Sequence, residues 1–68
     1  MQEVEIRGEV IRLGQLLKVA GIVPSRADAK ELITSGQVAV NDEVDVRRGR
    51  QLHRGDVVTV GEDAVLLT

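Results

Sequence analysis

The sequence has no cysteine, so a disulfide framework and a thiolate metal site are both excluded, and the redox compartment is left unconstrained. Phe, Tyr and Trp are absent as well. The core must therefore be built from Val, Leu, Ile and Ala, and the aromatic platforms on which single-stranded binders stack bases are missing. A lone His53 cannot assemble a metal site, and neither a metal nor a cofactor is expected. No segment approaches the roughly 18 apolar residues of a membrane span, and the opening MQEVEIRGEVIRLG is too charged for a signal peptide. The expectation is a soluble cytoplasmic protein with no membrane partner. There is also no Cys nucleophile, no Gly-x-Ser-x-Gly and no Gly-Lys-Ser/Thr, so neither an enzyme nor a small-molecule substrate is expected. His53 as a general base remains the weak alternative, because a histidine among arginines is more readily a solvated or anion-contacting group.

What is present is charge, unevenly distributed. The 68 residues carry a net charge of -2 and are read as one small domain. From Arg12 to Arg54 there are eight Lys and Arg against five Asp and Glu, whereas both flanks are acidic. A basic middle between acidic ends fits a localised polyanion-binding face.

Hydrophobic periodicity divides the chain. In EVEIR, Val4 and Ile6 alternate with charges, as in a half-buried strand, and Gly8 breaks the pattern. Leu13, Leu16, Leu17 and Ala20 then define one face of a short helix, with Gly21 as its left-handed stop and Ile22 just beyond. Ser25 is an N-cap for a second helix, with Asp28 completing a capping-box-like pair. Ala29, Leu32 and Ile33 are that helix's apolar stripe and Gly36 its end. From Gln37 the period becomes two: Val38 and Val40, a turn at Asn41 and Asp42, then Val44 and Val46 read as a hairpin. Arg47 to Arg54 reads as an exposed loop with little apolar content beyond Leu52, GDVVTV as a turn and strand, and AVLL as the last strand. The sum is an α+β fold: two short packed helices followed by a small, mostly antiparallel sheet, with a short N-terminal strand.

Two constellations carry chemistry. Arg26 and Lys30 lie one turn apart on the second helix, off its apolar stripe. Arg26 stands in the first turn, where its charge opposes the helix dipole, so helix stability does not account for it. The second is RRGRQLHR, with Arg47, Arg48, Arg50 and Arg54 and no acid among them. Guanidinium groups contact phosphate bidentately, and Gly49 allows close backbone approach. Loop and helix together could form one groove for a phosphate backbone, read by shape rather than by base sequence.

These residues resemble the S-four-type RNA-binding domain, or alpha-L motif. Its pattern runs Arg-Leu-Asp-x-x-Leu, then Ser/Thr-Arg-x-x-Ala-x-x-Leu-Ile-x-x-Gly-x-Val-x-Val-Asn, then Gly-Asp-x-Val-x-Val. The chain has RLGQLL at Arg12 to Leu17, SRADAKELITSGQVAVN at Ser25 to Asn41 and GDVVTV at Gly55 to Val60, so the match covers residues 12 to 60. Gly14 and Gln15 stand where many members carry Asp and then a basic residue. The basic VRRGRQL and the short N-terminal strand look most like the stand-alone bacterial members, rather than those appended to pseudouridine synthases or tyrosyl-tRNA synthetases. The resemblance implies a ribosome-associated partner of structured RNA, ribosomal or transfer RNA. It implies RNA-facing roles for Ser25, Arg26, Lys30, Gln37 and Asn41. The arginine loop with His53, together with Arg12 and Lys18, completes the expected interface.

Two other readings stay open. A protein-interaction or regulatory module could keep the fold and lose the RNA; convergence of Arg26, Lys30, Arg47, Arg48 and Arg50 on one face would argue against it. The latter half also resembles β-grasp sulfur carriers, but the Gly-Gly tail on which their chemistry depends is not in AVLLT.

Overall fold

The computed structural model describes all 68 residues. In order, the chain forms β1 (Gln2–Val4), β2 (Ile11–Arg12), α1 (Leu13–Val19), α2 (Arg26–Thr34), β3 (Val38–Val40), β4 (Glu43–Val44), β5 (Gln51–Leu52), β6 (Val57–Val60) and β7 (Asp63–Leu67). Five strands make one sheet in the order β1-β7-β6-β3-β4, and β2 pairs with β5 apart from it. Every pairing is antiparallel except that of β1 with β7, which run parallel. This is the expected α+β arrangement. No helix is long and apolar enough to cross a membrane.

The helices end where the glycines permit. At the end of α1, Gly21 takes a φ of 76°. Its N–H donates to the Lys18 carbonyl at 3.1 Å, while that of Ile22 reaches back to Leu17 at 3.0 Å. This is the paired bonding of a Schellman cap, which satisfies carbonyls that would otherwise be orphaned and folds Ile22 against the core. At the start of α2, the Ser25 hydroxyl accepts the Asp28 N–H at 3.2 Å and donates to the Asp28 carboxylate at 2.7 Å. The capping pair read from the sequence is thus in place, with the acid favourably set in the first turn.

One aliphatic core joins the helix pair to the inward face of the sheet. Leu13, Leu16 and Leu17 from α1, Ala29 and Ile33 from α2, and Val38, Val40, Leu52, Val58, Val65 and Leu67 from the strands are essentially inaccessible to solvent. Burying each Leu, Ile or Val stabilises the fold by about 1.5–3 kcal/mol, and without aromatics the core depends on many such side chains.

The hairpin turn is as the sequence indicates. Asn41 and Asp42 both have positive φ, 51° and 70°, which is the type I′ geometry that matches the twist of the flanking strands.

Three details depart from the sequence reading. The first strand ends at Val4, although the Thr68 N–H donating to the Val4 carbonyl and the Ile6 N–H to Thr68 keep Ile6 buried beside the last strand. The stretch read as a loop at residues 47–54 contains β5, whose Leu52 is fully buried opposite Ile11. From the end of β4 the inside and outside are inverted: Val44 and Val46 are 65% and 53% exposed, and Asp45 between them is only 7% exposed. The reason is electrostatic and lies in the arginines that follow.

Candidate nucleic-acid interface

The start of α1 has no side-chain cap. Its first two N–H groups are taken instead by the arginine loop, that of Leu13 by the Arg50 carbonyl at 2.9 Å and that of Gly14 by the Arg48 carbonyl at 3.0 Å. Two otherwise unpartnered helix donors are thereby satisfied, and the loop is tied to the helix. The same junction forms one wall of an open cleft of about 510 Å³, lined by Arg12, Gly14, Gln15, Arg26, Arg48 and Gly49. Three guanidinium-bearing residues line it, with no carboxylate and no hydrophobic residue among them.

Each cation reaches the cleft by a different route. Arg12 is the residue at which β2 passes into α1. Arg26 is the first residue of α2, held there by the Ser25 cap. Arg48 crosses over Gly14: a Cβ on residue 14 would lie 2.9 Å from the Arg48 Cγ, so the missing side chain is what admits the arginine stem. Gly49 also lines the cleft, and a Cβ there would meet no protein atom.

Three of the loop arginines are committed internally, two of them to one acid. The Asp45 carboxylate accepts hydrogen bonds from the Arg47 backbone N–H at 2.9 Å, from Arg47 Nε at 3.1 Å and Nη2 at 2.9 Å, and from Arg50 Nη1 at 2.8 Å. The side-chain bonds from Arg47, reinforced by Arg50, hold its pKa well below the ordinary carboxylate range against the opposing effect of burial. The Arg47 guanidinium is correspondingly raised by the Asp45 hydrogen bond. A nearly buried carboxylate requires such partners, which explains why Asp45 and not its valine neighbours turns inward. Arg54 donates from Nη2 to the Ile6 carbonyl at 3.0 Å and so pins the N-terminal segment.

The other residues singled out in the sequence do not line this cleft. Lys30 is exposed one turn beyond Arg26 on α2 and does not line the cleft. Lys18 is in the last turn of α1, where its charge complements the helix dipole. Gln37 donates from Nε2 to the Ser35 hydroxyl at 2.8 Å. Asn41 acts as a clamp: its Nδ2 donates to Asp56 at 3.0 Å and its Oδ1 accepts the Val57 N–H at 2.9 Å. The backbone N–H of His53 donates to Asp56 at 2.7 Å, and its Nδ1 lies 3.9 Å from the same carboxylate. Burial acts to raise the Asp56 pKa, but the His53 N–H and the Asn41 amide together bring it below the ordinary value.

Of the five cations whose convergence was the test, Arg26 and Arg48 meet, joined by Arg12. Arg47 and Arg50 are turned to Asp45, and Lys30 extends the α2 side. Sequence reasoning missed Asp45 altogether. The available signal was an acid two residues before Arg47, close in sequence to a cluster of arginines with no acid of its own.

Comparison with known proteins bears directly on this arrangement. The family model described as S4 domain matches residues 4–68. The chain is also 47% identical over 57 residues to the probable ribosome maturation protein RlbA of Bacillus subtilis (strain 168), an alignment covering 84% of this chain and 80% of that protein.

Proposed function

The chain belongs to the S4 domain family, and on that premise we propose that it is a non-catalytic protein of the cytoplasm that binds structured RNA, with residues 1–68 acting as one RNA-binding domain. The observation that carries this reading is the convergence of Arg12, Arg26 and Arg48 on a cleft without a carboxylate in its lining. Guanidinium groups there suit phosphate oxygens, and the absence of Phe, Tyr and Trp removes the aromatic platforms on which single-stranded binders stack bases. Recognition is therefore of backbone and shape. Lys30 continues the interface along α2, while Arg47, 69% exposed despite its bonds to Asp45, adds to the local positive field. Ser25 contributes by holding Arg26 at the helix start. Lys18, Gln37, Asn41, Arg50, His53 and Arg54 do not line the cleft, and on this reading their contacts with RNA lie outside it.

Between ribosomal and transfer RNA, the name of the Bacillus relative supports ribosomal RNA, met during ribosome maturation. The test is equilibrium binding to a structured ribosomal RNA fragment, a transfer RNA and an unstructured strand of equal length across a salt series. Preference for the structured ribosomal fragment, with a log–log salt slope of about two to three for three phosphate contacts, is the expected result. Equal weak binding to all three that vanishes at physiological salt would leave a protein-interaction module as the better account.

A further inference from the structure

The cleft arginines differ in how they are held. Arg12 and Arg26 sit at element ends, whereas Arg48 belongs to a turn between β4 and β5 that has no regular structure of its own. Inside that turn the Arg50 N–H donates to the Arg47 carbonyl at 3.1 Å. The Asp45 carboxylate binds both of these residues, one on each side of Arg48. The side chains flanking Arg48 are thus clamped to a single, nearly buried acid, and its own carbonyl is fastened to Gly14.

We propose that Asp45 is a positioning residue that makes the arginine cleft selective for folded RNA over a flexible strand. The inference rests on the RNA-binding reading above. A fixed set of cations is matched by phosphates that a folded RNA already holds at fixed separations, so binding costs little conformational freedom beyond that of association itself. A flexible strand adjusts to any arrangement of cations and gains little from a rigid one. Asp45 thereby favours binding of a polyanion although it carries the same sign of charge.

That sign separates positioning from simple electrostatics. Asp45→Asn removes one negative charge and releases Arg47 and Arg50, so charge alone would tighten binding to every RNA. Positioning requires the opposite for folded RNA. The experiment measures affinity of the parent and Asp45→Asn for a structured ribosomal RNA fragment and an unstructured strand of equal length at matched salt, with circular dichroism and thermal melting confirming that the variant is folded. The preference for the structured fragment is expected to fall by roughly five- to tenfold, through the loss of one well-placed charged hydrogen bond. Retention of the parent's preference, or tighter binding to both RNAs in proportion, would overturn the proposal.

Should Asp45→Asn fail to fold, Arg50→Lys carries the test. It keeps the charge and leaves Asp45 partnered by Arg47, but drops the planar guanidinium that ties the far end of the turn to the carboxylate. A reduced preference supports the proposal and an unchanged one overturns it. A parent protein with no preference for folded RNA would overturn the functional reading itself, whereas a parent that has the preference and variants that keep it would overturn only the role of Asp45.

Discussion

The backbone N–H of Gly14 donates to the Arg48 carbonyl at 3.0 Å, and the Arg48 side chain occupies the space that a side chain on residue 14 would need, its Cγ 2.9 Å from where the Cβ would be. One residue opens a helix and the other lies in a remote turn, so this contact couples the first turn of α1 to the arginine loop. The backbone bond caps the helix, and the missing methyl group admits the arginine stem to the cleft.

Gly14→Ala separates those two effects. Alanine is favoured over glycine within a helix by about 1 kcal/mol, which offsets the crowding of a flexible arginine stem. Stability is expected to change by less than about 1 kcal/mol, while affinity for structured RNA drops as Arg48 is pushed from its seat. Chemical denaturation paired with RNA titration checks this; parallel losses in both would contradict it.

Arg26→Glu and Lys30→Glu should differ in degree. Arg26 lines the cleft and Lys30 does not, so Arg26→Glu is expected to weaken RNA binding more strongly and to lower the salt slope by about one. Neither side chain is buried in the core, and melting temperatures are expected to stay near the parent's. Equal losses for the two variants across a salt series would show that the cleft has no special status.

Acid should weaken the clamp. The folded-state pKa of Asp45 is depressed, so its contribution to stability is fully present above the unfolded value of about 3.9 and is lost as pH falls toward the folded one. The stability gap between the parent and Asp45→Asn should therefore be widest near neutrality and narrow once the pH drops below about 4. Denaturant midpoints of both proteins at pH 7 and pH 3 measure it; a gap of constant size would mean that Asp45 gains nothing from its arginines on folding.

Asn41 offers a contrast between turn geometry and side-chain bonding. Asn41→Ala loses the bonds to Asp56 and Val57 and also puts at positive φ a residue that tolerates the left-handed region less well than asparagine, for a total of about 2–4 kcal/mol. Asn41→Gly keeps the turn and loses only the bonds, costing about half as much. Equilibrium unfolding of the pair separates the two contributions; equal costs would show that the turn conformation carries no strain.

The sequence was most legible where signals were local. Both helices, their glycine stops, the Ser25 and Asp28 cap and the Asn41 and Asp42 turn depend on residues a few positions apart, and each formed as read. The pairing of Gln51 and Leu52 with Ile11 and Arg12 was not legible, because a two-residue strand has too little alternation to register. Alternation itself misled at Val44 to Val46. A period-two pattern predicts which residues share a face but not which face is buried, and at a sheet edge the demand of Arg47 and Arg50 for a counter-charge decided it.

The candidate site was half legible for the same reason. Arg26 and the arginine loop stood out as clusters, but their division into a free Arg48 and a committed Arg47, Arg50 and Arg54 depends on Asp45 and on the Ile6 carbonyl. Ile6 is far away in the chain. No spacing rule connects residue 54 to residue 6.

The parallel pairing of Gln2–Val4 with Val65–Leu67 sets the order in which the molecule can be completed. The helix pair and the β3–β4 hairpin close over short separations, but the first strand has no neighbour in the sheet until residues near 67 exist. On a translating ribosome that segment must wait until the last strand has been made, and its docking, with the entropy of a loop of about sixty residues to overcome, is the high-contact-order step of folding.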